Sequence, residues 1–107
     1  MTVAHVESRN ETEPQRVEIT VTGEIDLSNA DQVRDKLYQA IDNDLVHVSL
    51  NLTEVSYLDS SGLHILFTLA GRLQRLQTEL AIVALPGTPA RRIVELAGFG
   101  AVATLHP

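Results

Sequence analysis

Hydrophobic and polar positions alternate strictly over residues 17–22, where Val17, Ile19 and Val21 face one way and Glu18, Thr20 and Thr22 the other. A period of two predicts a half-buried strand, and Gly23 is expected to end it. A second alternation runs through 46–52, with Val46, Val48, Leu50 and Leu52 on a shared face. Between them Val33, Leu37, Ala40 and Ile41 recur at helical spacing, predicting a helix over 29–43 with one apolar stripe. Ser28 followed by Asp31 resembles a capping box, with the acid where the helix dipole favours negative charge. Leu63, Leu66, Phe67, Leu69, Ala70, Leu73 and Leu76 form a broad apolar face over about four turns of a longer helix. ELAIVAL (79–85) is a nearly continuous apolar run, as in a strand buried on both sides, and Pro86-Gly87 closes it. TPARRIVELAG (88–98) reads as a short helix with Pro near its first turn and Gly98 just past its end, and AVATL (101–105) as a last short strand. Residues 3–8 read as a short edge strand, and the polar run ESRNETEPQR (7–16) as a hairpin connection or loose segment.

The resulting order, β-β-α-β-α-β-α-β, predicts a single α/β domain over residues 1–107. Its sheet is expected to be mostly parallel with four to five strands, an antiparallel edge strand, and helices packed on it. A length of 107 residues suits one hydrophobic core and not two. Aromatic residues are only 4% of the chain and Trp is absent, so that core must rest on Val, Leu, Ile and Ala. No window approaches the roughly 18 uninterrupted apolar residues of a spanning helix. The start, MTVAHVESRN, has neither a basic leader nor an apolar segment, so no secretory signal is expected. The lack of cysteine excludes disulfides and thiolate metal sites and fits the cytoplasm. A net charge of −6 argues against non-specific nucleic-acid binding and favours a partner with a basic face.

The chemistry concentrates in SYLDSSGLHI (56–65), where a strand has ended and the long helix is about to begin. Asp59 is suited to cap that helix by accepting from amides two or three residues on. Ser60 and Ser61 then occupy the first turn, and Gly62 permits close approach of another backbone. Two readings are open: a helix start and nothing more, or a hydroxyl presented beside free helix N–H groups, a favourable setting for phosphate. Enzyme chemistry has little support. His5, His47, His64 and His106 lack metal-ligand spacing, no Gly-rich phosphate loop is present, and Ser60 and His64 are spaced as neighbours on one helix.

TGEIDLSNA (22–30), LNLTEVSYLDSSGLHIL (50–66) and ARRIVELAGF (90–99), at these separations, closely resemble the bacterial anti-sigma-factor antagonists. Those are small single-domain members of the STAS (sulphate transporter and anti-sigma antagonist) superfamily. The resemblance implies partner switching. The unphosphorylated antagonist binds an anti-sigma factor, a serine kinase of the GHKL ATPase type, and so frees a sigma factor. The kinase phosphorylates the serine after the motif aspartate, here Ser60, and a metal-dependent serine phosphatase resets it. Asp59, Ser61, Gly62 and Leu63 match the run around that serine. Glu24 and Asp26 match an acidic turn near it that touches the kinase. On the residues alone these two acids are equally solvated or capping groups, and the functional reading needs the ends of the second and third strands to meet. No cofactor, nucleic acid or membrane contact is implied. Two departures stand out: the family usually continues Gly-Leu-Gly, where this chain has His64 in the last place, and relatives usually carry one more C-terminal helix beyond the position of Pro107. A competing role is a constitutive docking subunit of a transporter or signalling complex, using the same helix face without phosphorylation.

A phosphate on Ser60 adds about −1.5 to −2 charge units. A helix N-terminus stabilises such a charge by about 0.3–1 kcal/mol. A like-charge contact in an interface costs about 4 kcal/mol at about 4 Å and an effective dielectric of about 20. That exceeds a hundredfold in affinity.

Overall fold

The first alternation becomes the strand through which the whole sheet is organised. In the computed structural model, which describes residues 2–12, 15–42 and 44–107, this strand is β2 (Gln15–Ile25). It follows β1 (Ala4–Thr12) and precedes α1 (Ala30–Ala40), β3 (His47–Asn51) and β4 (Val55–Leu58). Next come α2 (Ser60–Arg75), β5 (Glu79–Val83), α3 (Pro89–Leu96), a 3₁₀ turn at Phe99–Ala101, and β6 (Thr104–His106). The strands lie in the order β1-β2-β3-β5-β6, with β4 also pairing β2. β1 runs antiparallel to β2 at the sheet edge and the other pairs are parallel, as the order of elements predicts.

The core is built from the in-facing positions of both alternations. Val17, Ile19 and Val21 of β2, Val48 and Leu50 of β3, and Leu80 and Ile82 of β5 are buried together with Val33 and Leu37 of α1. Ile65, Leu66, Leu69 and Leu73 of α2, Ala90 and Val94 of α3, and Phe99 complete the same cluster. Each such side chain contributes about 1.5–3 kcal/mol by leaving water. Phe67, expected on the apolar face of α2, is partly exposed but stacks on Phe99 with ring centroids 4.7 Å apart. Arg72 lies 5.0 Å over the Tyr38 ring and ties α2 to α1. Among the described residues no helix is long and apolar enough to cross a membrane.

Several details differ from the expectations drawn from the sequence: Val46 is exposed and precedes β3, and the last strand begins at Thr104 and not at residue 101. The sheet has six strands among the described residues, because VSYL pairs with the end of β2. In that strand Val55 and Leu58 are buried while Ser56 and Tyr57 are exposed, so no period of two marks it. The polar run at 7–16 is largely strand: β1 pairs residue for residue from Ala4↔Gly23 to Thr12↔Gln15. Backbone bonds hold an edge strand whatever its side chains, so hydropathy carries no signal there. Residues 13 and 14 lie outside the described residues. Helix α1 stops at Ala40 with Ile41 in extended backbone, and the predicted end at Asn43 also lies outside the described residues. Finally, Gly23 does not end β2. It takes a φ of 99° at a register shift, where the strand leaves β3 behind and takes up β4.

A Cβ at Gly23 would stand 2.3 Å from the Val3 carbonyl oxygen, in a backbone conformation side chains rarely adopt. Gly23→Ala is therefore expected to destabilise the domain by about 1–3 kcal/mol, seen as a lower urea midpoint with unchanged slope. Gly87→Ala, also at positive φ but with nothing within 4 Å, should cost less.

Candidate functional site

The pairing of β2 with β4 closes at Ile25↔Leu58, and the Asp59 N–H then donates to the Ile25 carbonyl at 3.2 Å. Two segments leave that point together: the turn at 26–29 and the start of α2. A functional role for Glu24 and Asp26 required the ends of the second and third strands to meet. The strand end that meets β2 belongs to the additional strand, β4, and not to β3.

Asp59 has extended backbone, and its carboxylate accepts from the Ser61 N–H at 2.9 Å and the Gly62 N–H at 3.2 Å. It is the N-cap expected of it. The Leu63 N–H donates to the Asp59 carbonyl at 3.0 Å and begins the helical ladder. Ser60 is exposed, Ser61 half-buried and Gly62 buried. A Cβ on Gly62 would meet Leu58 Cδ1 at 2.2 Å and Ile25 Cγ2 at 3.1 Å, so glycine lets the first turn rest on the two strand ends. Leu63 packs partly buried against the core, and His64 is exposed one turn beyond Ser60. The polar cluster thus divides its work: Asp59 caps, Gly62 packs, and Ser60 stands outside.

The acidic turn is tied down on every side. Asp26 Oδ1 accepts from the Ser28 hydroxyl at 2.5 Å and the Ser28 N–H at 2.8 Å, while Oδ2 accepts from the Thr2 hydroxyl at 2.6 Å. These bonds favour the carboxylate, so the Asp26 carboxyl is held below its ordinary range, chiefly by the Ser28 hydroxyl and next by that of Thr2. Asn29 is buried, accepting from the Asp26 N–H at 3.0 Å and donating to the Glu24 carbonyl at 2.8 Å. The Glu24 N–H donates to the Val3 carbonyl at 2.9 Å, and the Glu24 side chain is exposed. The capping box expected at Ser28 is absent, since that hydroxyl serves Asp26. Asn29 is the N-cap of α1 and makes no side-chain cap bond.

Between the starts of α1 and α2 lies a groove of about 430 Å³. Leu27, Asp31 and Arg34 line one side, and Ser60, Ser61 and His64 the other. The remaining residues singled out in the sequence, Glu24, Asp26, Asp59, Gly62 and Leu63, do not line it. Sequence reasoning missed Leu27, Asp31 and Arg34. Leu27 left a trace, being apolar in a polar turn and outside the α1 stripe, and it is 81% exposed. Arg34 left none, because off-stripe charges on a helix are ordinarily solvated.

The STAS domain family matches residues 7–107, almost the whole of this fold. The chain belongs to that family. The family resemblance carried by 22–30, 50–66 and 90–99 is thereby borne out. The STAS domain is similar to a Listeria monocytogenes protein named anti-sigma-B factor antagonist, with 35% identity over 77 residues. The match covers 70% of this chain and 66% of the Listeria protein, so the chain spans just under two thirds of that relative. The crystal structure of an anti-sigma factor antagonist from Mycobacterium paratuberculosis superposes with a TM-score of 0.83 at 22% identity, over 98% of this chain and 86% of that one. SpoIIAA of Bacillus in its unphosphorylated form gives 0.71 at 21% identity, over 98% and 89%. At these identities the two structures establish the fold of the STAS domain.

Two measurements check this geometry. Asp59→Ala should lower stability by about 1 kcal/mol through loss of the cap, measured by urea denaturation, with the fold intact by circular dichroism. Because the folded-state pKa of Asp26 is depressed, its stabilising contribution is present above the ordinary carboxylate range and lost as pH falls through the folded value. In carboxyl-carbon NMR, Ser28→Ala should raise the Asp26 midpoint, and Thr2→Val should raise it less.

Proposed function

We propose that this STAS domain is an anti-sigma-factor antagonist. Its unphosphorylated form docks on an anti-sigma factor, a serine kinase of GHKL type, and releases a sigma factor. Phosphorylation of Ser60 ends docking, and a serine phosphatase restores it. The domain is the substrate of both reactions and the catalyst of neither, and it works in the cytoplasm. The observation that carries this reading is the exposure of Ser60 on a helix start whose stability does not depend on its hydroxyl. Asp59 supplies the cap and Gly62 the packing, so the hydroxyl is available for modification. The name of the Listeria relative supports the docking role. SpoIIAA is known with the same fold in unphosphorylated and phosphorylated forms, which supports a switch that leaves the fold in place. The partner face consists of Glu24 and Asp26 in their turn together with Asp59, Ser61, Gly62, Leu63 and His64 around the serine.

The exposed Leu27 beside the groove favours one other reading, constitutive docking to a transporter or signalling subunit with no phosphorylation. Incubation with a purified anti-sigma kinase and ATP, followed by intact mass and site mapping, separates the two. One phosphate on Ser60, absent from Ser60→Ala, is the expected result. Ser60→Ala should bind the kinase constitutively, and Ser60→Asp should bind weakly. The native phosphorylated chain should bind more than about a hundredfold more weakly, all with near-native circular dichroism. An unchanged mass with binding retained would leave constitutive docking alone.

A further inference from the structure

We propose that Arg34 and His64 form a seat, on the domain itself, for the phosphate of phosphorylated Ser60. This rests on the phosphorylation proposed above and adds where the new charge goes. The helix start is poorly placed to take it. Two of its free amides, those of Ser61 and Gly62, are already held by the Asp59 carboxylate, which is itself an anion beside the serine. The groove offers the alternative. His64 follows Ser60 by four residues, a spacing that puts the Cβ atoms about 5–6 Å apart, and helical side chains lean toward the N-terminus, here toward Ser60. Both residues line the groove, and Arg34 lines it from α1. An imidazole offers an N–H in either charge state.

Arg34 has donors to spare. Its Nε and Nη2 donate to Asp35 and its Nη1 to Asp31, which uses three of the five N–H groups of a guanidinium and leaves one on each terminal nitrogen. Those pairs are exposed and individually weak, so a dianion with three acceptor oxygens competes well for the same fork. The charged and titratable groups around the seat are Asp31, Arg34 and Asp35 of α1, His64 of α2, and Asp59 at the helix start, and Asp35, like Asp31, is an anion paired with Arg34. Asp31 opposes the phosphate, and its pairing with Arg34 moderates that opposition. The net effect is to favour the phosphate dianion and to hold it over the groove, across the face from which a partner is excluded.

The test uses the full chain with phosphoserine installed genetically at position 60, which bypasses any kinase. The second ionisation of the phosphate, ordinarily near pH 6, is followed by phosphorus NMR at low ionic strength. The native chain should titrate about half a pH unit or more below both Arg34→Gln and His64→Gln. Lys36→Gln removes an exposed cation of α1 that lies outside the groove and should leave the midpoint where it is. Equal midpoints in the native chain and the two groove variants would overturn the seat, as would a Lys36→Gln shift as large as that of Arg34→Gln, which would indicate only a general field. Failure of a kinase to modify Ser60 would overturn the switching role without altering this titration.

Discussion

The arrangement depends on a change of partner along one edge of one strand. β2 pairs with β3 over Arg16–Thr20 and with β4 over Gly23–Ile25. Backbone amides inside a protein must be bonded, so the exchange requires a place where one ladder stops and the next begins. Gly23 supplies it. Its N–H donates to the Glu54 carbonyl at 3.2 Å, and its positive φ shifts the register of Glu24 and Ile25 against β4. Without the exchange, the end of β2 would have no partner on the edge away from β1. The Asp59 N–H would then not reach Ile25, and the acidic turn and the serine turn would not leave the sheet from the same point.

From that junction the site separates tasks that a cruder design would place on one residue. Stability of the α2 start rests on a carboxylate accepting two amides and on a glycine pressed against Leu58 and Ile25. The neighbouring Ser60 hydroxyl is exposed and does neither. A charge added at Ser60 therefore changes the surface without removing a cap or a packing contact. The same logic appears in the acidic turn, where Ser28, Asn29 and Thr2 immobilise Asp26 while Glu24 projects outward. In the docking role proposed, a turn whose backbone is already immobilised would have less entropy left to lose on binding.

The groove shows how two helices with unremarkable sequences make something neither contains. Arg34 is half-buried among the polar residues of α1, and His64 is an exposed residue near the start of α2. Only their packing across the starts of the helices brings Arg34, His64 and Ser60 to one groove. Coulombic interaction falls with distance, so charges lining one groove count for more there than the chain's overall −6.

The sequence by itself determined the elements whose side chains are sorted by water. The alternation at 17–22, the part of the second alternation carried by Val48, Leu50 and Leu52, and the main stripes of α1 and α2 appear in the structure because burying one face of each is what drives folding. It also determined the Asp59 cap, a local bond between a side chain and amides two and three residues on. Tertiary structure alone decided that β1 runs on past residue 8 and that β4 exists, since both are held by backbone bonds to β2 and their hydropathy shows no period of two. It likewise decided that Arg34 would line the same groove as Ser60. Those outcomes depend on which segments far apart in the chain come to lie side by side, and no local pattern encodes that.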